Sequence, residues 1–170
     1  LLPNQKRFFA IDKDGKSLRL MDVATGKSLW NLSVAKRIKK IKEIDEEYFL
    51  TYGNAQITIW KLATGKKVRS FAIKHKRLSY TLDDIVVLPN TQYLLTQDSS
   101  DETIRMWNYK TGKSVHVFEG HTKDVDALLL LPDKRRFLTG SQDNTIKLWD
   151  TKSRKLIRTY SGHTFWPREL

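Results

Sequence analysis

Cysteine is absent from the 170-residue sequence, and its absence excludes several kinds of protein. A disulfide framework, a thiolate nucleophile and a cysteine-based zinc site all require this residue. A long apolar run is also missing: the best is Ala127 to Leu131, far below the roughly 18 to 20 residues that cross a bilayer. No charged and then apolar leader opens the sequence. We therefore expect a soluble, intracellular protein, cytoplasmic or nuclear, with no membrane insertion.

Motifs of enzyme chemistry are missing as well. The four histidines show no metal-ligand spacing, and no glycine-rich loop of the kind that cradles phosphates is present. His116 lies inside the strand-like segment KSVHVF, a setting more typical of packing than of metal binding. We expect no catalytic residue, no metal and no cofactor, and hence a protein that is not an enzyme.

Positive charge and apolar residues are both plentiful. Lysine and arginine total 31 against 19 aspartates and glutamates, which gives a formal net charge of +12. Such a surface attracts acidic partners, nucleic acid included. With 39% apolar and 11% aromatic residues, the sequence can build a core, so we expect a folded domain.

An internal repeat dominates the sequence. Its best copies align without gaps and are ITIWKLATGK (57–66), IRMWNYKTGK (104–113) and IKLWDTKSRK (146–155). A fourth copy, LRLMDVATGK (18–27), has Met21 in place of the tryptophan. The anchor positions 21, 60, 107 and 149 are 39, 47 and 42 residues apart. Prolines 3, 89 and 132 mark a second series with separations of 86 and 43, which correspond to two repeats and one. A shared period of this length indicates a repeat architecture.

Within each repeat the pattern indicates β-strands. Ile146 and Leu148 alternate with Lys147 and Trp149, so that the two pairs lie on opposite faces of a strand. Turn residues such as Pro-Asp, Thr-Gly-Lys and Gly-His separate the strand-like blocks. About four strands fit in each repeat. A four-stranded unit near 40 to 45 residues, with Gly-His and Trp-Asp, is typical of a propeller blade.

The chain resembles the WD40-repeat family, because Gly120 to Asp150 matches the family pattern nearly end to end. The resemblance implies an all-β propeller, as a partial ring of about four blades with four antiparallel strands each. It places the blades at about 1–35, 36–73, 74–119 and 120–161, and the start of a further strand at 162–170. Since neither terminal blade is complete by itself, we expect the rest of a longer chain to close the ring. A short chain could instead close it through its own C-terminal strand, which would complete blade 1, or with a second copy.

The same resemblance implies a hydrogen-bonded chain in the last repeat. Its members would be His121, a strand hydroxyl from Thr139 or Ser141, the turn residue Asp143, and Trp149. A Ser, His and Asp set also matches a nucleophilic triad. A joint is favoured over an active site because other repeats reuse the tryptophan and the turn acid, at Trp60, Asp101 and Trp107.

Two basic runs fall in the links that precede consecutive blades, at Lys36 to Lys42 and at Lys74 to Arg77. In a WD40 blade these links share one face of the disc. The predicted partner-binding residues are Lys36, Arg37, Lys39, Lys40, Lys74, Lys76 and Arg77. The residues predicted on the opposite face, as solvated turn residues, are Lys27, Lys66, Lys113 and Lys134 to Arg136.

The sequence therefore predicts a non-catalytic protein interaction scaffold that binds an acidic or phosphorylated protein. One alternative is a nucleic-acid-binding propeller, although only Tyr80 lies near the basic runs as a stacking aromatic. A second alternative comes from WDTK (149–152), which resembles the box by which WD40 substrate receptors dock onto cullin ubiquitin ligases. That alternative implies a substrate-receptor or sensor region of a larger ubiquitin-ligase or signalling protein.

Overall fold

The chain is built from β-strands joined by turns. A computed structural model describes residues 6–35, 37–53, 56–73, 82–98, 102–162, 164 and 167. Throughout this part of the chain the regular secondary structure is strand, with no helix, so the all-β prediction is confirmed. Among the same residues there is no helix that could span a membrane.

Leu1–Ile73 form the first of two compact units. It contains a sheet of three strands, called blade 1, and a sheet of four strands, called blade 2. All neighbouring strands are antiparallel and follow one another in chain order. The strands are β1 (Arg7–Ile11), β2 (Ser17–Asp22) and β3 (Ser28–Ser33) in blade 1, and β4 (Lys40–Glu43), β5 (Tyr48–Gly53), β6 (Gln56–Lys61) and β7 (Lys67–Ala72) in blade 2.

Lys74–Leu170 form the second unit, which holds two four-stranded sheets called blade 3 and blade 4. Their strands are also antiparallel and in chain order. The strands are β8 (Leu82–Val87), β9 (Tyr93–Asp98), β10 (Ile104–Asn108) and β11 (Lys113–Phe118) in blade 3, and β12 (Val125–Leu130), β13 (Arg136–Ser141), β14 (Ile146–Asp150) and β15 (Lys155–Tyr160) in blade 4.

Blade 1 differs from the expected four strands. Phe8 of β1 pairs with Met21, as Phe49 of β5 pairs with Trp60, so β1 is the counterpart of the second strand in the other blades. A first strand would have to precede β1, and residues 1–5 lie outside the described residues.

Blades 1 and 2 share one apolar core in which aromatic rings stack. Trp30 of β3 lies over Phe49 of β5 with centroids 5.6 Å apart and planes 15° apart. The Trp30 indole N–H donates to the Leu62 carbonyl oxygen at 2.8 Å. Leu18 and Leu20 of β2 are buried in the same cluster. The outer strand of blade 1 is thereby fixed against the turn that follows β6.

Blades 3 and 4 share a second core. Phe118 at the end of β11 meets Phe137 of β13 edge to face, with ring centroids 4.9 Å apart. Phe137 in turn stacks on Trp149 of β14 at 6.2 Å. The outermost strand β15 is exposed along its whole length. Burial is therefore concentrated on the inner strands of each blade.

The chain beyond β15 returns to blade 4. A Cβ atom on Gly140 would lie only 2.6 Å from the Pro167 carbonyl oxygen, so the missing side chain permits this close approach. Of residues 162–170, only Gly162, Thr164 and Pro167 are described, and none of them lies in a strand.

Candidate functional site

A tryptophan–threonine pair recurs in three of the four blades. The indole Nε1–H donates to the threonine Oγ1 of the neighbouring strand at 2.9 Å in Trp60–Thr51, 2.9 Å in Trp107–Thr96 and 2.8 Å in Trp149–Thr139. All six residues are buried. A buried indole N–H needs an acceptor, and the strand register supplies one each time.

The outer strand carries a β-bulge opposite the tryptophan position in every blade. Pairing between the last two strands shifts at Trp60, Trp107 and Trp149, and at Met21 in blade 1. A bulge bends the strand and re-aims the side chains beside it. The four repeats therefore share a backbone irregularity as well as a sequence motif.

In blade 4 the pair extends into a longer chain of hydrogen bonds. His121 contacts Asp143 Oδ2 through Nδ1 at 2.8 Å and Thr139 Oγ1 through Nε2 at 2.7 Å. Ser141 is outside the chain, because its hydroxyl donates to the Lys123 carbonyl oxygen at 3.0 Å. Of the two hydroxyls left open by the sequence, Thr139 is the one that joins His121 to the indole.

The protonation states in this chain follow from burial and partners. Burial lowers the pKa of His121 below its usual value. The hydrogen bond and the charge of Asp143 act to raise this pKa, but the effect of burial is larger. Burial alone would raise the pKa of Asp143, but hydrogen bonds from Thr145, His121 and the Thr122 N–H bring it down to about 2. At neutral pH the pair is a neutral imidazole beside a carboxylate.

These states fix the direction of every hydrogen bond. An ionised Asp143 can only accept, so His121 Nδ1 carries the proton and Nε2 accepts from the Thr139 hydroxyl. The Thr139 oxygen then accepts from the Trp149 indole. Each member is satisfied, which is the arrangement that rigidifies a buried polar network.

The geometry of this network does not suit nucleophilic catalysis. Thr139 and Ser141 are 0% exposed, so neither hydroxyl is open to a substrate. The described residues also contain no cluster of histidine and carboxylate side chains that could hold a metal ion. The arrangement can anchor strands to one another, and this is the chemistry it supports.

Blade 1 lacks both members of the tryptophan–threonine pair. Met21 stands at the tryptophan position and Ala10 at the threonine position, as the strand register shows. The donor and the acceptor are thus absent together, and no buried polar group is left over.

Blade 2 keeps the pair but lacks the histidine. The strand register makes Leu32 of β3 the counterpart of Phe118 of β11, because Leu32 pairs with Leu18 and Phe118 pairs with Ile104. Three residues further along the chain, Ala35 precedes blade 2 at the position where His121 precedes blade 4. Blade 2 also has Thr58 at the position of Lys147, whose buried ammonium group donates to Thr159. Two shorter side chains therefore stand where blade 4 has two long ones.

A cleft of about 380 Å³ opens beside these two residues, within the first unit, and we call it the blade 2 cleft. It runs along the face of β6 that carries Trp60, from the blade 1–blade 2 link to the start of β7. Sequence reasoning missed it, although the missing Gly-His of the second repeat is a signal that could have indicated it. The lining residues that matter below are Ala35, Arg37, Thr51, Thr58, Trp60 and Lys67.

The predicted partner-binding residues are described only in part. Arg37, Lys39 and Lys40 are exposed in or beside the link between β3 and β4. Outside the described residues lie Lys36, Lys74, Lys76 and Arg77, together with the predicted network residue Asp101 and the aromatic Tyr80.

Two other basic residues on the predicted opposite face are tied into turns. Arg135 Nε donates to Asp150 Oδ2 at 2.5 Å, and Arg136 Nε donates to Asp133 Oδ2 at 2.6 Å. Asp150, the acid of WDTK, also accepts from the Ser153 N–H at 2.6 Å. Its carboxylate is thus already engaged inside blade 4.

Comparison with known proteins matches one of these repeats to a family model. The family model "WD domain, G-beta repeat" matches residues 112–150, which cover the outer strand of blade 3 and the first three strands of blade 4. The chain is similar to guanine nucleotide-binding protein subunit beta from Oryza sativa subsp. indica and from Zea mays, each 27% identical over 92 residues. These alignments cover 52% of this chain and 24% of each relative.

An uncharacterised WD repeat-containing protein of Schizosaccharomyces pombe is 38% identical over 58 residues, which are 34% of this chain and 14% of that protein. The chain thus spans about a quarter or less of the length of the curated relatives it matches. The repeated sheets and the matched repeat agree with each other: residues 112–150 match the WD40 repeat, and the four sheets are consistent with a partial WD40 propeller.

Proposed function

We propose that this chain is a non-catalytic protein interaction scaffold that binds an acidic or phosphorylated protein through its blade 1–blade 2 link. The WD40 repeat and the relatives support a protein interaction scaffold. The relatives named as subunits of a guanine nucleotide-binding protein favour a role in assembly. We place the binding site at the link because its end of the first unit carries the greater positive charge.

Charge is unequal between the two ends of the first unit. One end holds the link and the β1–β2 turn, and the other holds the β2–β3, β4–β5 and β6–β7 turns with the start of β1. With their flanking strand residues, the described parts of the link end carry five cations against two carboxylates, whereas the other end carries six against five. The link end is therefore positive and the other end nearly neutral.

The cations of the link are available to a partner. Arg37 and Lys39 are exposed, and neither has an ion-pair partner within the described part of the chain. A carboxylate or phosphate from another protein would meet little competition from this chain's own acids. Such contacts accelerate association and set specificity.

A matched pair of charge reversals tests the proposal. Arg37→Glu/Lys39→Glu changes the link, and Lys27→Glu/Lys66→Glu makes the same change in net charge at the other end. Binding of a fluorescently labelled eight-residue peptide of glutamate and phosphoserine is measured by anisotropy. We expect about tenfold weaker binding for the link variant and less than about twofold for the control.

Two outcomes would contradict this assignment. Equal losses for both variants would mean that only the diffuse positive field matters. Stronger competition by single-stranded oligo(dT) than by the unlabelled peptide would favour nucleic acid as the partner.

A further inference from the structure

The blade 2 cleft has the size and lining of a ligand site. Its volume of about 380 Å³ falls within the range of roughly 300 to 1,000 Å³ typical of small-molecule pockets. Its lining combines apolar side chains, among them Trp60, Ile38 and Val34, with hydroxyl groups and two cations. Two of its lining residues, Arg37 and Gly53, lie where the link passes the end of β5.

Among the described residues, the hydrogen of the Thr51 hydroxyl meets no acceptor. Its oxygen accepts from the Trp60 indole at 2.9 Å, as Thr139 accepts from Trp149. In blade 4 the threonine proton then goes to His121 Nε2. Blade 2 has Ala35 there, and the described residues offer the Thr51 hydroxyl no acceptor, although Thr51 is only 4% exposed. A buried donor of this kind favours a ligand that accepts.

A second donor stands beside it. Thr58 Oγ1 and Ser70 Oγ are 2.8 Å apart and share one hydrogen bond, so one of their two hydroxyl hydrogens remains for another acceptor. Both residues line the cleft. The Thr51 hydroxyl and the Thr58–Ser70 pair thus offer hydrogen-bond donors to a ligand in the cleft.

The charges around the cleft select the sign of that occupant. Arg37 and Lys67 line it, and none of the described lining residues is a carboxylate. No ion-pair partner of Arg37 or Lys67 occurs among the residues that the structure describes. Hydroxyl donors with an available hydrogen, together with positively charged side chains, suit a carboxylate or a phosphate.

We infer that the blade 2 cleft receives an anionic side chain of a protein partner, a carboxylate or a phosphate, with an oxygen that accepts from Thr51 in place of the histidine nitrogen. The acid takes over the acceptor role that His121 has in blade 4, and Arg37 and Lys67 balance its charge. This inference rests on the proposed function, because it gives the acidic partner a specific pocket beside the link.

Blocked amino acids probe the cleft without a known partner. The ¹⁵N-labelled chain is titrated with the N-acetyl amides of glutamate, phosphoserine and glutamine, and the indole N–H signals are followed by NMR. We expect saturable shifts of the Trp60 indole with glutamate or phosphoserine, and little change at Trp107 and Trp149. The tighter of the two acids identifies the source of the anion, and neutral glutamine is the matched control.

Two substitutions separate the cleft from the link. Ala35→His places the blade 4 side chain in the gap and is expected to weaken acid binding about tenfold or more, while Ala63→His in an exposed turn leaves it within about twofold. Lys67→Gln is expected to weaken binding at least about threefold, and its neighbour Lys66→Gln less than about twofold. Melting temperatures verify that all four variants fold.

The outcomes keep the two proposals apart. If the labelled acidic peptide binds and loses affinity with the link reversal, but Ala35→His has no effect, the cleft is wrong and the scaffold proposal stands. If the blocked acids shift Trp60 and the peptide does not bind, the cleft stands and the scaffold proposal fails. Equal shifts with glutamate and glutamine would show that the cleft does not select an anion, and no shift with any probe would show that no acid enters it. Either result would overturn the inference.

Discussion

At the scale of single residues, the tryptophan and its threonine form one unit. Trp60, Trp107 and Trp149 each keep the threonine partner, and blade 1 replaces both members at once, with Met21 and Ala10. Losing one member leaves a buried polar group without a partner, whereas losing both leaves an apolar contact. Blade 1 therefore avoids the cost by changing both residues.

A double-mutant cycle in blade 3 tests this coupling. Thr96→Ala removes the hydroxyl that accepts from the Trp107 indole and is expected to lower the free energy of unfolding by about 1 to 3 kcal/mol. Trp107→Met lowers it further by removing buried ring atoms. In the double variant, we expect a loss smaller than the sum by about 1 kcal/mol or more. Urea denaturation measures all four proteins, and strict additivity would refute the coupling.

The buried pair of blade 4 predicts how acid destabilises the fold. Because the folded pKa of His121 is lowered, its contribution to stability is present above the unfolded value of 6.5 and is lost as pH falls through the folded pKa. The Asp143 contribution is present above 3.8 and is lost as pH falls towards about 2. We expect His121→Gln to flatten the decline that begins just below pH 6.5. Denaturation midpoints from pH 7.5 to 4.5 measure it, and parallel curves would contradict the assignment.

The sequence predicts most members of this network but not which of them form hydrogen bonds with each other. His121, Asp143 and Trp149 follow from the resemblance to WD40 repeats. Thr139 and Ser141 are two residues apart, so both point to the same face of β13, and the alternation cannot distinguish them. Register decides, because Phe137 pairs with Trp149 and places Thr139 within reach of the indole.

At the scale of strands and turns, the Trp30 side chain fixes blade 1 against the β6–β7 turn of blade 2. The Trp30 indole N–H donates to Leu62 just before the Thr-Gly turn of blade 2, and Gly65 covers its ring. An added Cβ at Gly65 would lie 3.1 Å from two ring carbons. In the same turn of blade 1, a Cβ added at Gly26 would meet no described atom within 4 Å. The two turns are thus matched in sequence and different in packing.

Alanine at each glycine separates backbone strain from packing. Gly65 and Gly26 have φ of 64° and 67°, so alanine meets the same left-handed strain at both. Only Gly65→Ala also presses on Trp30, and we expect it to cost about 1 kcal/mol more than Gly26→Ala in chemical denaturation. The excess should vanish in a Trp30→Leu background. An equal cost at both sites would show that Trp30 is not held by this turn.

Strand content was predictable, because alternating apolar residues and turn residues mark each strand. The bulge opposite every tryptophan position was not, because its extra residue lies in the outer strand, where mostly exposed side chains keep no strict alternation. The blade 2 cleft was even harder to predict from the sequence. It results from the small size of Ala35 and Thr58, and the absence of a side chain becomes visible only against the filled space of blade 4.

At the scale of the whole molecule, excess positive charge is the dominant property. A formal charge of +12 on 170 residues produces self-repulsion in the folded state. Composition alone predicts the sign and size of this field. It could not predict the unequal ends of the first unit, because that inequality depends on which turns the antiparallel strands bring together.

Salt should therefore stabilise the chain. Raising NaCl from 20 to 300 mM shortens the screening length from about 20 Å to about 6 Å, and we expect the melting temperature to rise. Lys27→Glu/Lys66→Glu/Lys113→Glu lowers the net charge to about +6 and should flatten that rise, if charge density is its cause. Differential scanning fluorimetry measures both. A melting temperature that falls with salt would show that attractive ion pairs outweigh the repulsion.

The recurrent indole–hydroxyl bond gives the molecule three internal reporters. Trp60, Trp107 and Trp149 each hold a buried N–H, one in each of blades 2, 3 and 4. Each such proton can exchange with deuterium only when its own sheet opens. Three exchange rates, read from three indole signals, would thus give the opening free energy sheet by sheet and reveal which blade of this chain loosens first.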